Sequence, residues 1–516
     1  MIDRRAIVAG LVAVPATAAA RQSSRPSPVA KTRYGTVRGT IERDVLVFRG
    51  VRYGADTASR RFRRALPPQP WGGIADATRY AAAAPQTKAT ELTSEDCLFL
   101  NIWTPALDAG RRPVMVYIHG GAHSHGSGSD PLYDGGNLVR RGDVVAVTLN
   151  HRLGGLGYAY LADLGGPAES GNVGNLDLML ALTWVRDNIA GFGGDPDRVM
   201  IFGQSGGGAK VVTLMAMPEA RPLFHAAATM SGQHVTAAGP VHATERARAF
   251  MAKAGARDVA ALGALPVERL VEAMATTDPI ERKGEISFVS TLDHGVLPRH
   301  PFYPDAPREA ASIPLIIGNT HDETGYWLEA MLKRGDTTWD NLPDRLVANS
   351  TKDMSPNYVI RRYRQMYPDK TPGQVLLAAS TAGRSWPGHL IQAEERAKID
   401  APTWMYQLDF PCPEAGGVLG AFHTLDIPLV FDNTAAADAR TGDGPAARRL
   451  AARMADAFIR LARQGNPNGP GLPNWDQYRL DRRATMIFDT DTRMLDDPRR
   501  DERLLFAVAP YIKPGG

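Results

Sequence analysis

Arg198-Val-Met-Ile-Phe-Gly-Gln-Ser-Gly-Gly-Gly-Ala-Lys210 is the stretch around which the chain is organised. Its apolar run, residues 199–202, is typical of a buried strand. The five residues that follow fit the pattern G-x-S-x-G, a sharp turn from strand to helix that exposes the hydroxyl of the central serine, Ser205. A Cβ on either flanking glycine would collide with a neighbouring strand or helix, so the turn requires glycine at both places. The helix that begins at Gly206 would present free N–H groups, which can hold negative charge.

Strand-like apolar runs alternate with helical patterns through most of the chain. The strand-like runs cover residues 36–51, 94–105, 114–118, 143–149, 199–202, 228–231, 314–318 and 403–408, and the helical patterns cover residues 175–189, 206–217 and 447–464. This alternation predicts an α/β fold with a mostly parallel central sheet covered by helices on both faces. Residues 326–386 are charged and helical in pattern, so we expect an inserted cap over the site there. We therefore predict one catalytic domain, residues 31–516, with insertions.

The composition supplies a large core and gives no reason to expect nucleic acid as a partner. The chain has 516 residues, of which 44% are hydrophobic, and 59 basic against 55 acidic residues give a net charge of +4 without a basic run. Cys97 and Cys412 are the two cysteines, which excludes a disulfide framework and does not suggest a zinc site. The sequence does not decide whether a single disulfide joins these two cysteines.

The first twenty residues predict an export signal. Arg4-Arg5 precedes an apolar run, residues 6–16, which Pro15 interrupts and small residues follow. The paired arginines favour the twin-arginine route, and hence a periplasmic or secreted bacterial protein. The run is too short for a transmembrane helix, so stable membrane insertion is not expected. Residues 21–30 are predicted to form a tail of the mature chain.

The serine needs catalytic partners. A serine hydroxyl is a weak nucleophile unless a base accepts its proton and N–H groups stabilise the oxyanion. In the chain order typical of this turn, an acid follows the serine and a histidine comes last. Two acid candidates, Asp322 and Glu323, follow a predicted core strand. Position and order favour His423 as the histidine, with His321 and His389 as alternatives.

Several longer motifs surround these candidates. Residues 192–207, Phe-Gly-Gly-Asp-Pro-Asp-Arg-Val-Met-Ile-Phe-Gly-Gln-Ser-Gly-Gly, contain the serine turn, and residues 95–105, Glu-Asp-Cys-Leu-Phe-Leu-Asn-Ile-Trp-Thr-Pro, form a predicted strand. Shorter motifs at residues 48–53, 150–154, 293–298 and 465–469 extend the pattern over nearly the whole mature chain. Together they resemble the type B carboxylesterase (cholinesterase-like) family, and in kind its bacterial para-nitrobenzyl esterases. The resemblance implies the α/β-hydrolase fold.

The resemblance also implies roles for individual residues. The nucleophile of the family falls on Ser205, its acid on Glu323 and its base on His423. The remaining assignments are the oxyanion-hole N–H groups of Gly121, Ala122 and Gly206, and Ser231 as a support for the acid.

The implied activity is carboxylic-ester hydrolysis through an acyl-enzyme. The expected partner is a small-molecule ester, and neither a metal nor an organic cofactor is implied. Asp322 remains the alternative acid, and Asp426 is expected to be structural. Two other interpretations stay open: a specialised hydrolase of feruloyl, tannin, mycotoxin or polycarboxylate esters or of lactones, and a non-catalytic cholinesterase-like binding protein. The sequence does not indicate the oligomeric state.

The sequence departs from the family pattern at several positions. Gln204 stands where relatives usually have glutamate, and Gly206 replaces a common alanine, which predicts a more flexible turn. His123 occupies a usually aromatic position, and with His125 it forms either a solvated loop or a polar pocket rim that selects polar or carboxylate-bearing substrates. Relatives with a disulfide pair the cysteine at Cys97 with an upstream one, and residues 1–96 contain none. We therefore expect Cys97 to be a buried free thiol.

Overall fold

The structure, a computed structural model, describes residues 26–511. The predicted export signal, residues 1–20, lies outside the described residues. The predicted tail, residues 21–30, extends too far, because Val29–Lys31 forms a strand that pairs antiparallel with Thr36–Arg38. Ala30 of this strand is buried in the core, which explains why the chain is ordered there.

Fourteen strands are present among the described residues, eleven of them in one sheet. They are β1 Val29–Lys31, β2 Thr36–Arg38, β3 Thr40–Glu42, β4 Val45–Arg52, β5 Ile74–Asp76, β6 Phe99–Thr104, β7 Arg112–Ile118, β8 Val145–Leu149, β9 Gly194–Gln204, β10 Ala226–Met230, β11 Leu315–Thr320, β12 Thr403–Leu408, β13 Ala484–Phe488 and β14 Arg493–Asp496. The large sheet has the order β14-β13-β12-β11-β10-β9-β7-β8-β6-β4-β3. Its middle, from β13 to β8, is parallel, and antiparallel pairs lie at both ends. The predicted mostly parallel sheet is therefore confirmed.

Helices connect the parallel strands. They are α1 Gly136–Gly142, α2 Gly154–Tyr158, α3 Val173–Asn188, α4 Gly206–Met215, α5 Pro240–Ala254, α6 Val259–Ala264, α7 Val267–Met274, α8 Gly325–Arg334, α9 Leu342–Asn349, α10 Pro356–Met366, α11 Pro372–Ser380, α12 Pro387–Ala397, α13 Ile427–Val430, α14 Pro445–Gln464 and α15 Arg500–Phe506, with a π-helical turn at Thr381–Ser385. Helices α8 to α11 occupy most of residues 326–386, and the division of this segment from the core as a cap stays a prediction. Across the part of the chain that is described, no helix combines the length and apolarity needed to cross a membrane.

The core consists of two apolar layers, one on each face of the sheet. Side chains of a strand alternate between faces, so a strand covered on both sides is apolar throughout. In β9, Met200 and Phe202 join the layer that contains Phe458 of α14. Val199 and Ile201 of the same strand join the opposite layer, to which α3 and α4 contribute. This double coverage explains the continuous apolar run before the serine turn.

The topology places four loops at one edge of the sheet. Strand β9 pairs with β7 on one side and with β10 on the other, and β10 pairs with β11. Because these strands are parallel, their carboxyl ends lie side by side, which is where ligands bind in open α/β sheets. The loops that leave these ends carry Gly121, Ser205, Ser231 and Glu323.

Candidate active site

Ser205 lies in the turn between β9 and α4. Its backbone angles, φ 55° and ψ −121°, are rarely adopted by a residue with a Cβ and are typical of this strained turn. A Cβ on Gly203 would lie 2.6 Å from the carbonyl carbon of Gly207, and a Cβ on Gly207 would lie 1.9 Å from the carbonyl oxygen of Ile118. Packing therefore requires glycine on both sides of the serine, as the pattern predicts.

Glu323 and His423 are in direct contact. Nδ1 of His423 lies 2.5 Å from Oε2 of Glu323. The other carboxylate oxygen accepts hydrogen bonds from the Ser231 hydroxyl at 2.6 Å and from the Thr320 N–H at 2.9 Å. Burial opposes ionisation of Glu323, but the charge of His423 and the hydrogen bonds from His423 and Ser231 lower its pKa to about 2. Glu323 is therefore a buried carboxylate that holds the imidazole through Nδ1.

The imidazole of His423 also lies against the serine turn. The side-chain nitrogen of Gln204, the residue before Ser205, is 3.3 Å from Nε2 and 3.4 Å from Nδ1 of the ring. Within residues 26–511, no hydrogen bond joins the Ser205 hydroxyl to the imidazole. Catalytic hydrogen bonds are often long in unliganded enzymes and tighten when substrate binds. Because Nδ1 is bound to Glu323, Nε2 is the ring nitrogen left to accept a proton.

The three residues of the expected oxyanion hole lie on two segments in contact. Gly121 and Ala122 follow β7 with φ of 83° and 54°, and Gly206 is the first residue of α4. A Cβ on Gly206 would lie 1.9 Å from the carbonyl oxygen of Ala122, so the two backbones touch. In the described part of the chain, none of the three N–H groups donates a hydrogen bond to another residue. These donors are available to an oxyanion.

The alternative acid and the first alternative histidine pair with each other. Nδ1 of His321 lies 2.9 Å from Oδ1 of Asp322, and Oδ2 of Asp322 accepts a hydrogen bond from the Ala421 N–H at 3.1 Å. Burial opposes protonation of His321, but Asp322 raises its pKa. The Asp322 carboxylate therefore bonds to His321 and the Ala421 N–H rather than to His423.

His389 and Asp426 are buried behind the site. Burial lowers the pKa of His389 to about 4, although the nearby charge of Glu323 acts in the opposite direction. Asp426 accepts a hydrogen bond from the Tyr406 hydroxyl at 2.7 Å, and burial raises its pKa to about 6. Asp426 therefore has the contacts of a structural residue, as expected.

His123 and His125 differ in their environments. His123 is 1% exposed, and its ring packs edge-on against Tyr158 with centroids 4.7 Å apart. His125 is partly exposed, and its Nδ1 lies 3.1 Å from the Ser124 hydroxyl oxygen. The solvated-loop interpretation is wrong for His123, because Tyr158 and the neighbouring ring of His234 cover it.

Sequence reasoning missed three side chains near the site. Lys210 of α4 is fully buried, and its Nζ donates a hydrogen bond to the Ala122 carbonyl at 2.6 Å. The Trp327 ring lies 4.8 Å from the His423 ring, and the Arg384 guanidinium lies 4.6 Å from the Trp327 ring. Lys210 did carry a signal, since it is a charged residue in an otherwise small and apolar helix.

The central parallel sheet, with the serine turn at the carboxyl end of a middle strand, defines an α/β-hydrolase. The sequence model of the carboxylesterase family matches residues 26–506 of this chain. The para-nitrobenzyl esterase of Bacillus subtilis (strain 168) is 34% identical, over 92% of this chain and 97% of its own. Phenmedipham hydrolase of Pseudarthrobacter oxydans is 33% identical, over 89% and 94%.

Solved structures of esterases are similar to this chain as well. The Geobacillus stearothermophilus carboxylesterase EST55 at pH 6.2 has a TM-score of 0.82 and 35% identity, over 93% of this chain and 99% of that chain. A PNB esterase structure has a TM-score of 0.77 and 32% identity, over 93% of this chain and 99% of that chain. The chain belongs to the carboxylesterase family and is a carboxylic-ester hydrolase, which confirms the family resemblance and the predicted α/β-hydrolase fold.

Proposed function

We propose that the enzyme hydrolyses small-molecule carboxylic esters with Ser205 as nucleophile, His423 as base and Glu323 as acid. The observation that carries the proposal is the buried contact of 2.5 Å between Nδ1 of His423 and Glu323, on a ring that also lies against the serine turn. A carboxylate in this position fixes the tautomer whose lone pair is on Nε2 and stabilises the imidazolium that forms.

The reaction follows from this arrangement. Nε2 of His423 removes the proton of Ser205 while Oγ attacks the ester carbonyl carbon. The N–H groups of Gly121, Ala122 and Gly206 stabilise the tetrahedral oxyanion, each contributing about 3 kcal/mol. The C–O bond to the alcohol breaks, and His423 returns the proton to the leaving oxygen. Water, deprotonated by His423, then attacks the acyl-enzyme and releases the carboxylic acid and Ser205.

The substrate is not fixed by family membership. A para-nitrobenzyl esterase and a phenmedipham hydrolase are both similar to this chain, and their names refer to different compounds. Simple carboxylic esters are the first class to test. Feruloyl, tannin, mycotoxin and polycarboxylate esters and lactones are the specialised classes.

A substrate panel tests the proposal. Purified enzyme is assayed with p-nitrophenyl esters of increasing chain length, aryl esters, polycarboxylate esters and lactones. We expect turnover of p-nitrophenyl esters and a loss of about a thousandfold or more in Ser205→Ala. The control Ser59→Ala changes an exposed serine and should keep wild-type turnover. Absence of turnover across the panel would support the non-catalytic binding protein instead.

Export is a separate part of the proposal. It rests on Arg4-Arg5 and the apolar run that follows. N-terminal sequencing of the protein recovered from a bacterial periplasm or medium should begin after residue 20. Recovery only from the cytoplasm with an intact N-terminus would contradict export without affecting the esterase proposal.

A further inference from the structure

Arg384 is a cation beside the proposed catalytic base that no carboxylate pairs with among the described residues. Its guanidinium carbon lies 4.6 Å from the centroid of the Trp327 ring, and that ring lies 4.8 Å from the ring of His423. The indole of Trp327 thus contacts both the guanidinium of Arg384 and the imidazole of His423, the proposed base. Trp327 is 48% exposed, so solvent reaches part of this indole.

The carboxylates whose charge reaches Arg384 do not neutralise it. They are Glu323 and Glu281, and neither forms an ion pair with the guanidinium. Glu323 is already bonded to His423 and Ser231. Burial lowers the pKa of Arg384, yet a guanidinium is too basic to lose its proton near neutral pH. A half-buried cation without a counter-ion is costly unless a ligand supplies one.

Arg384 is held in place by the wide turn that carries it. It belongs to the π-helical turn Thr381–Ser385, a feature often found at functional sites. The Thr381 hydroxyl oxygen accepts a hydrogen bond from the Thr324 N–H at 3.2 Å and lies 2.9 Å from the Thr324 hydroxyl. Because Thr324 follows Glu323, this turn is tied to the loop of the proposed acid.

We propose that Arg384 binds a carboxylate carried by the ester substrate, so that the preferred substrates are anionic esters such as half-esters of dicarboxylic acids. One face of the guanidinium stacks on Trp327, and its planar donors can bind a carboxylate in a bidentate manner. Arg384 and His423 contact the same indole ring, at 4.6 and 4.8 Å, so a substrate with a short acyl chain can reach the cation while its ester carbonyl lies beside His423. The inference rests on the proposed function, because it concerns the same site.

A matched pair of substrates tests this inference. Mono-p-nitrophenyl glutarate carries a free carboxylate, and its methyl ester has the same acyl chain without the charge. The measured quantity is the ratio of kcat/KM for the anionic to the neutral substrate. Arg384→Met is compared with the control Arg364→Met, since Arg364 stacks on Trp339 at 4.8 Å on a different helix. A charge-assisted hydrogen bond is worth about 10- to 100-fold.

We expect the ratio to fall about 10- to 100-fold in Arg384→Met and to stay at the wild-type value in Arg364→Met. Arg384→Lys, which keeps the charge and loses the bidentate geometry, should give an intermediate ratio and replaces the first variant if that does not fold. An unchanged ratio in the folded Arg384 variants would overturn the inference while wild-type turnover upheld the esterase. Absence of wild-type turnover of both substrates would instead defeat the proposed function.

Lys210 carries a second, independent inference. Its side chain is fully buried, and its Nζ donates to the carbonyl of Ala122, whose N–H belongs to the proposed oxyanion hole. The titratable groups that face Lys210 are His119, His151 and His125. Burial lowers the pKa of each histidine, and the charge of Lys210 adds to that shift. No carboxylate pairs with Lys210 in the described chain, and burial lowers its pKa to about 7.

We infer that Lys210 is a positioning residue that holds the backbone at Ala122 through its carbonyl oxygen and lends positive charge to the oxyanion hole. Ala122 has a φ of 54°, which is uncommon for a residue with a Cβ and needs support from its surroundings. Lys210 and the backbone of Gly206 both contact the Ala122 carbonyl and supply this support. A cation near the site also favours the negative charge of the transition state.

The test compares Lys210→Met with Lys352→Met. Lys352 also donates to backbone carbonyls, at 2.9 and 3.0 Å, and burial lowers its pKa, but its partners Ala509 and Pro510 are far along the chain from the site loops. We expect kcat for a neutral p-nitrophenyl ester to fall about 10- to 100-fold in Lys210→Met, and to be unchanged in Lys352→Met.

The pH profile separates this role from a purely structural one. Wild-type Lys210 is charged below its pKa and neutral above it, so the wild-type advantage over Lys210→Met should shrink from about pH 6 to about pH 9. Lys210→Gln, which keeps a donor without charge, should retain part of kcat and replaces Lys210→Met if that variant does not fold. A kcat ratio that stays constant with pH, or equals one, would overturn the inference without touching the nucleophile assignment.

Discussion

At the scale of single residues, the central feature is the carboxylate behind the imidazole. Glu323 accepts from Ser231, Thr320 and His423, so its charge is fully surrounded by donors. Such a carboxylate stabilises the imidazolium that forms when the serine loses its proton. Asp322, its neighbour in sequence, forms hydrogen bonds with His321 and with the Ala421 N–H instead.

Replacement of this carboxylate by an amide tests its role. We expect Glu323→Gln to lower kcat about 10²- to 10⁴-fold, because an amide can hold the wrong tautomer of His423 and does not stabilise its charge. The control Ser231→Ala removes one of the donors to Glu323 and keeps the negative charge, so its loss should be much smaller. Steady-state kinetics with a p-nitrophenyl ester measure both variants, and near wild-type kcat in Glu323→Gln would contradict the assignment.

The residues around the site differ in how well the sequence predicted them. The G-x-S-x-G pattern singled out Ser205 by itself, because the steric demands of the turn are local. The choice of Glu323 over Asp322 came only from family resemblance, since two adjacent carboxylates on one loop differ only in where tertiary contacts direct them. Trp327 and Arg384 were not predicted, because Trp327 contacts His423, and Arg384 contacts Trp327, across segments distant in sequence.

At the scale of elements, the loop after β7 and the start of α4 form one unit. The backbone of Gly206 is so close to Ala122 that a Cβ would lie 1.9 Å from the carbonyl oxygen and 2.5 Å from the carbonyl carbon. The sequence predicted that glycine here makes the turn more flexible. In the structure the backbone of Ala122 packs so closely against Gly206 that a Cβ would collide, and that contact depends on a loop that the sequence pattern does not describe.

Gly206→Ala tests this coupling between the two elements. The added methyl group would push the Ala122 loop away and displace one or more oxyanion donors, so we expect kcat to fall about 10- to 1000-fold with the fold retained. Gly263→Ala is the matched control, because Gly263 lies in α6 with open space where its Cβ would be. Circular dichroism and kinetics are measured together. Unchanged kcat in Gly206→Ala would show that the loop adapts freely.

At the scale of the whole molecule, most of the central sheet followed from the sequence, whereas β13 and the strands at the margins did not. Residues 36–51 were predicted to be strand-like, and in the structure they include β2, β3 and most of β4, with Arg43 and Asp44 at positive φ in the turn between β3 and β4. The strands β1, β5, β13 and β14 were missed, because three to five residues are too few for a clear periodic pattern and their pairing is set by tertiary contacts.

The state of the two cysteines leads to a prediction about the thermal stability of the whole fold. Cys97 and Cys412 are both free and buried, which confirms the expectation for Cys97. Burial raises the pKa of both thiols and so removes the reactive thiolate. We expect the Tm to be the same with and without reductant, and a thiol reagent to modify the protein only after denaturation. A Tm several degrees lower in reductant would indicate a disulfide in the native protein.

The most direct test of the account is to map the site that a fluorophosphonate modifies. The reagent is incubated with the native enzyme and with Ser205→Ala, and peptides are analysed by mass spectrometry while p-nitrophenyl ester hydrolysis is followed. We predict one adduct, on Ser205, that accumulates in step with the loss of hydrolysis and is absent from the variant. Loss of hydrolysis with an adduct on another residue, or full hydrolysis with Ser205 modified, would contradict the central claim.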